Sequence, residues 1–460
     1  MACALALLLW ATSVPAKPLP ERQVIAITDV TVIDVEHSRS IGPRTVLIED
    51  GRIAAIDKLA DARIPANAQR IAGRGRFLIP GLVDMHVHLF NNASHRPPNE
   101  WSFPLFVANG VTAVREMNTL PAAIVQVNQW RQRLEESELV APRILAAGVA
   151  VQGSSPRDAA DQVKADAGAD FIKVFSDVPA AHWHAILDAA KARGLPVAGH
   201  VPAGVPLLVA AAAGQRTDEH LMQAFEACST IEAQLLDARR DLDAEALVAT
   251  RDAQEARALD AFDRVTCERV GKSLAATGQV QVPTLVLPYE ESIRTRQPPG
   301  DDPRWRYLRA DERVRWQRIL AGTTSQDDAL AERRWSVARQ IVTAFHRARV
   351  PMFAGTDTPM PGVYPGFSLH EELALLVASG LTPREALRSG TLAPAEFLGI
   401  AATSGSVTVG KRADLVLLDA DPSKDIRNTR RIHAVLLDGR LLRRSALDAL
   451  LEAAATKQTP

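Results

Sequence analysis

Leu78-Ile79-Pro80-Gly81-Leu82-Val83-Asp84-Met85-His86-Val87-His88 is an apolar run that ends on two histidines separated by one residue. Side chains two apart in a strand share a face, so His86 and His88 point the same way. If the run is a strand of a parallel barrel, that face is the interior and the histidines stand at the strand's C-terminal end, where barrel enzymes keep their chemistry. Two imidazoles there can grip one divalent ion. Alone, the pair fits any metal site with histidine ligands.

Seven further apolar runs follow: Val111 to Met117, Arg143 to Val151, Asp170 to Phe175, Pro196 to Val201, Arg216 to His220, Val280 to Leu287 and Val350 to Asp357. They lack in/out alternation, which suits parallel strands covered on both faces. Helical patterns such as 179–193 and 329–349 lie between them. Eight strand–helix units over residues 78–400 predict an α/β fold, a (β/α)8 TIM barrel. Two connections, 221–279 and 288–349, are polar, Arg-rich and helix-forming, and are expected to be either helical insertions near the barrel mouth or elongated outer helices without substrate contact.

Outside the barrel the pattern changes. Residues 17–77 hold short strands at 24–27, 30–35, 45–48 and 51–56, with a hairpin signal at Glu49-Asp50-Gly51. Strand signals return at 413–419 and 433–439, within a segment spanning 401–445. Neither piece has enough core alone, so both chain ends are expected to build one small β-sandwich. Residues 446–460 read as a helix and a polar tail.

The chain has 460 residues, 47% hydrophobic and 23% charged, with a formal net charge of -1. That length suits one large domain with a smaller one. The near-zero charge argues against nucleic acid or an anionic membrane as partner. MACALALLLWATSVPA, residues 1–16, resembles a signal peptide, with Val14 and Ala16 placed for cleavage before Lys17, although it lacks the usual leading positive charge. Its apolar core is too short to span a bilayer, and Cys3 lacks a lipobox-like context, so no stable membrane anchor is expected. A periplasmic or secreted location follows. Cys228 and Cys267 either pair there or stay as buried thiols; without CxxC spacing they are poor zinc ligands.

Further chemistry-bearing residues stand at the ends of predicted strands: Lys173 on strand four, His200 on five, His220 on six and Asp357 on eight. A lysine buried in an apolar strand is costly unless paired or deprotonated. Deprotonated, it can take up carbon dioxide as a carbamate whose carboxylate could bridge two metals.

HxH on strand one, Lys on four, His on five and six and Asp on eight resembles the amidohydrolase superfamily, in its binuclear, carboxylated-lysine subgroup. Phe77-Leu78-Ile79-Pro80-Gly81-Leu82-Val83-Asp84, Gly366 to Leu373, Gly380 to Leu387 and Gly410 to Val416 are similar to segments of that family. The resemblance covers about residues 23–442 and is nearest to the branch of imidazolonepropionase-related proteins and Xaa-Pro dipeptidases. It implies that His86, His88 and Asp357 hold one ion, that His200 and His220 hold a second, and that carboxylated Lys173 bridges them. Zinc is the default metal for such ligands, with manganese or cobalt as alternatives. The implied reaction is cleavage of an amide bond in a dipeptide or N-acyl amino acid by a metal-bridging hydroxide, with Asp357 as general base and acid.

Four residues are weaker candidates for substrate contact. His370 either touches substrate or anchors a helix start; Tyr289 follows strand seven; Arg115 either pairs a substrate carboxylate or an internal acid; His95 lies in a loop after strand one. His182, His184, His346 and His433 read as structural or surface residues. A mononuclear deaminase or cyclic-amide hydrolase, a lactone or phosphotriester hydrolase on the same scaffold, and a barrel without catalysis are the rival expectations. A homo-oligomer is compatible with all of them.

Overall fold

The computed structural model describes residues 23–90, 97–165, 168–240 and 242–456. The expected signal segment and His95 lie outside these residues.

The hairpin at Glu49-Asp50-Gly51-Arg52 shows how the N-terminal strands are set. Asp50 and Gly51 both take positive φ, 48° and 77°, as a two-residue turn matched to strand twist demands, and Glu49 faces Arg52 across it. The turn joins β2 (Arg39–Glu49) to β3 (Arg52–Lys58). β1 (Ile25–Asp34) runs unbroken where two strands were expected, with register shifts around Asp29, itself at φ 58°. β4 (Gln69–Ala72) pairs β1 in parallel and carried no signal strong enough to find it.

β5 (Phe77–Pro80) and β6 (Leu82–Val87) divide the decisive run in two. The break is Gly81, where a Cβ would collide with the Thr112 side chain. β5 pairs β1 and β13 (Leu415–Leu418), whereas β6 pairs β7 (Val111–Thr119). With β14 (Ile432–Leu437) and β15 (Arg440–Arg443), the strands of both chain ends form one eight-stranded sheet in the order β15-β14-β13-β5-β1-β2-β3, with β4 beside β1. The shared end domain thus takes the form of a single sheet reaching Pro80, with Ile27, Val32, Val46, Leu415, Leu417 and Leu436 in one buried cluster.

β6 opens a TIM-barrel-like α/β fold. β6, β7, β8 (Arg143–Ala150), β9 (Phe171–Val174) and β10 (Val197–Gly199) make a parallel five-stranded sheet, and β11 (Thr217–Glu219) pairs β12 (Val280–Val282). Arg216 N donates to Val197 O between the two groups. The eighth expected strand is irregular. Met352 bridges to Gln281 and Thr358 bridges to Val87, both in parallel, which sets residues 352–358 between β12 and β6. Regular pairing fails there because Gly355 lies against His86 and Val282 and Asp357 adopts φ 63°. Strand seven is also shorter than expected: from Val286 the chain is helical, to Ile293.

Both long connections are largely helical as expected, with helices at Ala244–Asp260, Arg264–Ala275, Ala310–Ala321 and Ser325–Arg347 among them. Cys228 and Cys267 form a disulfide across 39 residues. The C-terminal helix is Arg444–Thr456. No helix among the described residues is long and apolar enough to cross a membrane.

Candidate metal centre

β6 delivers His86 fully buried and His88 partly open. The 352–358 segment brings Asp357 to both: Asp357 Oδ1 lies 3.2 Å from His86 Nε2 and 2.6 Å from His88 Nε2. Neither His86 Nε2 nor Asp357 Oδ1 has a hydrogen-bond partner, and both are buried. The three side chains form a compact group of potential metal ligands.

His220 and His200 extend the cluster. The His220 ring centroid is 4.5 Å from that of His86 and 5.0 Å from that of His200. Strict alternation along β11 would send Glu219 and His220 to opposite faces. His220 instead takes φ 66° and Leu221 φ 59°, which ends the strand and lets both neighbours approach His86. Positive φ in non-glycine residues is strained, and such strain collects at functional sites. His220 Nδ1 is 2.8 Å from Thr284 Oγ1, and His200 Nδ1 has no partner.

Lys173 is wholly buried, with Nζ unpartnered and 5.0 Å from the centroid of the Phe175 ring. Room for its stem comes from Gly199, where a Cβ would meet Lys173 Cδ at 2.6 Å. Burial pushes the Lys173 ammonium down to about 8, against the pull of Glu219 and Asp357. Burial also pushes His220 down to about 3 and His200 well below the usual histidine range, with Lys173 adding to the latter. Those rings are therefore neutral and offer lone pairs. Burial opposes the charge of Asp357, but His220, His88 and His86 hold its carboxyl well below the ordinary range. Four imidazoles, an ionised carboxylate and an amine, several of them buried without partners, fit one or two divalent cations far better than they fit each other.

Acids absent from the sequence-based list frame these ligands. Glu219 Oε2 lies 2.8 Å from His86 Nδ1. Asp84 accepts from the backbone N of His86 and Thr356 and from Thr356 Oγ1, tying the HxH strand to the segment that bears Asp357. Glu116 accepts from Leu89 N and Asn118 N, and burial raises it and Asp84 to about 7. Acidic residues inside apolar strands were the available signal, since an unpaired buried acid is rare.

The weaker candidates fall elsewhere. Arg115 is buried and donates to Glu219 Oε1 and Met85 O, so it serves an internal acid rather than a substrate carboxylate. His370 has both ring nitrogens engaged, with Thr429 Oγ1 at 2.9 Å and Asn109 O at 3.0 Å, which leaves neither for substrate. Tyr289 sits on the helix after β12, half-buried against Trp335.

The Amidohydrolase family model matches residues 313–442. A dihydroorotase from Anaeromyxobacter sp. (strain K) is 35% identical over 133 residues, which are 26% of this chain and 27% of that protein; the chain thus spans about a quarter of the length of the curated relatives it first matches. An imidazolonepropionase from Vibrio cholerae serotype O1 is 26% identical over 438 residues, 87% of this chain and 93% of that protein. Among solved structures, bottromycin amidohydrolase is similar with a TM-score of 0.69 and 25% identity, over 95% of this chain and 90% of its own. A Xaa-Pro dipeptidase with methionine in its active site shares the fold at a TM-score of 0.61 and 20% identity, over 91% of this chain and all of its own. The match over residues 313–442, together with the similarity to an imidazolonepropionase and to bottromycin amidohydrolase over most of the chain, supports an assignment to the amidohydrolase superfamily.

Proposed function

We propose that the protein is a binuclear metal-dependent hydrolase that cleaves the carbon–nitrogen bond of a dipeptide or N-acyl amino acid. One observation carries this: two buried, unpartnered ligand atoms, His86 Nε2 and Asp357 Oδ1, lie 3.2 Å apart, a contact that calls for a cation beside both. His86, His88 and Asp357 would hold one divalent ion, zinc by ligand type. His200 and His220 would hold the other, and Lys173, carboxylated by carbon dioxide, would bridge them. The closed eight-stranded barrel and a two-layered end domain belong to this proposal, as does export to the periplasm or beyond.

A bound metal pair supplies an activated water and a Lewis acid for the scissile carbonyl. Asp357 takes the proton as the water oxygen attacks the carbonyl carbon, and hands it to the leaving nitrogen as the C–N bond breaks. The products are a carboxylic acid and an amine. The neutral His200 and His220 keep their lone pairs directed to ligation. The Xaa-Pro dipeptidase and amidohydrolase neighbours support the substrate class.

Metal analysis should find about two divalent ions per chain, and about one after Lys173→Ala. Asp357→Asn should lower kcat on a hydrolysed dipeptide or acyl amino acid by about 100- to 10,000-fold. One ion in both the parent and the Lys173→Ala protein, or parental turnover in Asp357→Asn, overturns the proposal. A mononuclear cyclic-amide hydrolase is the second reading. Its support is that, of the four histidines and the aspartate proposed as ligands, His86, His88 and Asp357 gather within ligand distance of one another, together with the similarity to an imidazolonepropionase. The one-ion outcome selects it.

A further inference from the structure

We propose that Glu219 is a positioning residue: locked by Arg115, it keeps a proton on His86 Nδ1 and thereby turns the Nε2 lone pair toward Asp357. This deepens the proposed function and rests on His86 being a metal ligand.

The contacts run in one line. Arg115 Nη2 donates to Glu219 Oε1 at 2.8 Å, and Thr217 Oγ1 donates to the same oxygen. Arg115 Nε donates to Met85 O at 2.7 Å, on the strand that carries His86. The other carboxylate oxygen, Oε2, is 2.8 Å from His86 Nδ1. Both side chains of the ion pair are essentially without solvent exposure. An ionised carboxylate only accepts hydrogen bonds, so Nδ1 supplies the proton. Nε2, 3.2 Å from Asp357 and unpartnered, is the nitrogen left to ligate.

Stability alone is a poor reason for this arrangement. A buried ion pair seldom outperforms apolar residues of similar volume. A carboxylate behind a metal-binding histidine has a specific use, since it fixes the ring's tautomer and orientation and raises its basicity. Arg115 suits the task because its guanidinium stays charged and its fork spans the acid and the Met85 carbonyl at once. His220 has a neutral counterpart. Thr284 Oγ1 donates to its neighbour's carbonyl, Pro283 O, so it accepts from His220 Nδ1 at 2.8 Å. The two histidines are thus oriented by devices of unequal strength, and the charged one stands behind the more buried ring.

Glu219→Gln tests this sharply. With its carbonyl taken by Arg115 and Thr217, the new amide would present N–H to Nδ1. That would drive the ring proton to Nε2, where it blocks ligation. Competition with a chelator should show Co2+ bound 10- to 100-fold more weakly, with a changed visible absorption spectrum. Arg115→Met combined with Glu219→Leu removes both charges together and leaves no unpaired ion; it should weaken Co2+ binding at least tenfold and carries the test if Glu219→Gln does not fold. Nitrogen-15 shifts of His86 should show Nδ1 protonated in the parent, metal-free and metal-loaded alike. Parental Co2+ affinity and spectrum in the double variant, or an unprotonated Nδ1 in the parent, overturns the inference. A parent that binds no ion defeats the metal proposal instead, because the Nδ1 proton is read without metal.

Discussion

Gly199→Ala is expected to damage the fold and the centre together. Gly199 precedes His200 and sits at φ 115°, a conformation open to glycine and hostile to any residue with a Cβ. Forcing alanine into such a region costs about 1–3 kcal/mol. The added methyl would also strike Val174 O and reach within 2.6 Å of Lys173 Cδ and 3.0 Å of Lys173 Cε. Overpacking of that kind costs a further ~1–3 kcal/mol. Backbone cannot yield easily here, because His200 N donates to the same Val174 oxygen. Relief must come from the Lys173 stem, which moves Nζ away from the place proposed for the bridge. Thermal unfolding of the metal-free protein should therefore show a lowered midpoint, equivalent to about 2–6 kcal/mol. Metal analysis after reconstitution with zinc and bicarbonate should fall by about one ion per chain. A variant with the parental midpoint and parental metal content would refute the claim that Gly199 makes room for Lys173.

Two further outcomes are expected. Lys173 loses its proton near pH 8 in the fold, against an ordinary 10.5, so between those values the unfolded chain holds the extra proton; the metal-free protein should gain stability from Lys173 as pH rises from 8 to 10.5, and Lys173→Met should flatten that slope in denaturant titrations. The Cys228–Cys267 link closes a 39-residue separation, for which chain entropy predicts a stabilisation of about 4 kcal/mol; Cys228→Ser should lower the melting temperature, and an identical melt would show that the bond adds nothing.

The six proposed ligands were legible because each depends on local order: a residue at the end of an apolar run, or two residues sharing a strand face. What surrounds them was not. Glu219 touches His86 only because residues 133 positions apart, on strands of two different sheets, meet in the fold, and no spacing within β11 announces that. His220 stands at the end of a predicted strand, but the positive φ that lets both it and Glu219 approach His86 had no local signal. The eighth run misled in the opposite direction. Val350 to Asp357 reads as a continuous strand, yet Gly355 and the left-handed Asp357 reduce it to isolated bridges. His370 resembled an active-site residue because its neighbourhood is family-like, while its ring spans Asn109 and Thr429, a contact that only the packed fold defines. β4 and β15, of four residues each, are too short for periodicity to register.

The eight-stranded sheet also sets a timetable for synthesis. β5 leaves the ribosome early, but its partner β13 begins at Leu415, roughly 335 residues later, or on the order of 20–70 s at ordinary elongation rates. Until then one side of β5 is an open edge that can recruit any extended chain nearby, while the polypeptide bearing all six proposed ligands is already complete. A nascent chain stalled just after Asp357 would therefore hold the whole centre in its sequence and still have an unclosed β5, so the last tenth of translation governs whether the molecule matures or aggregates.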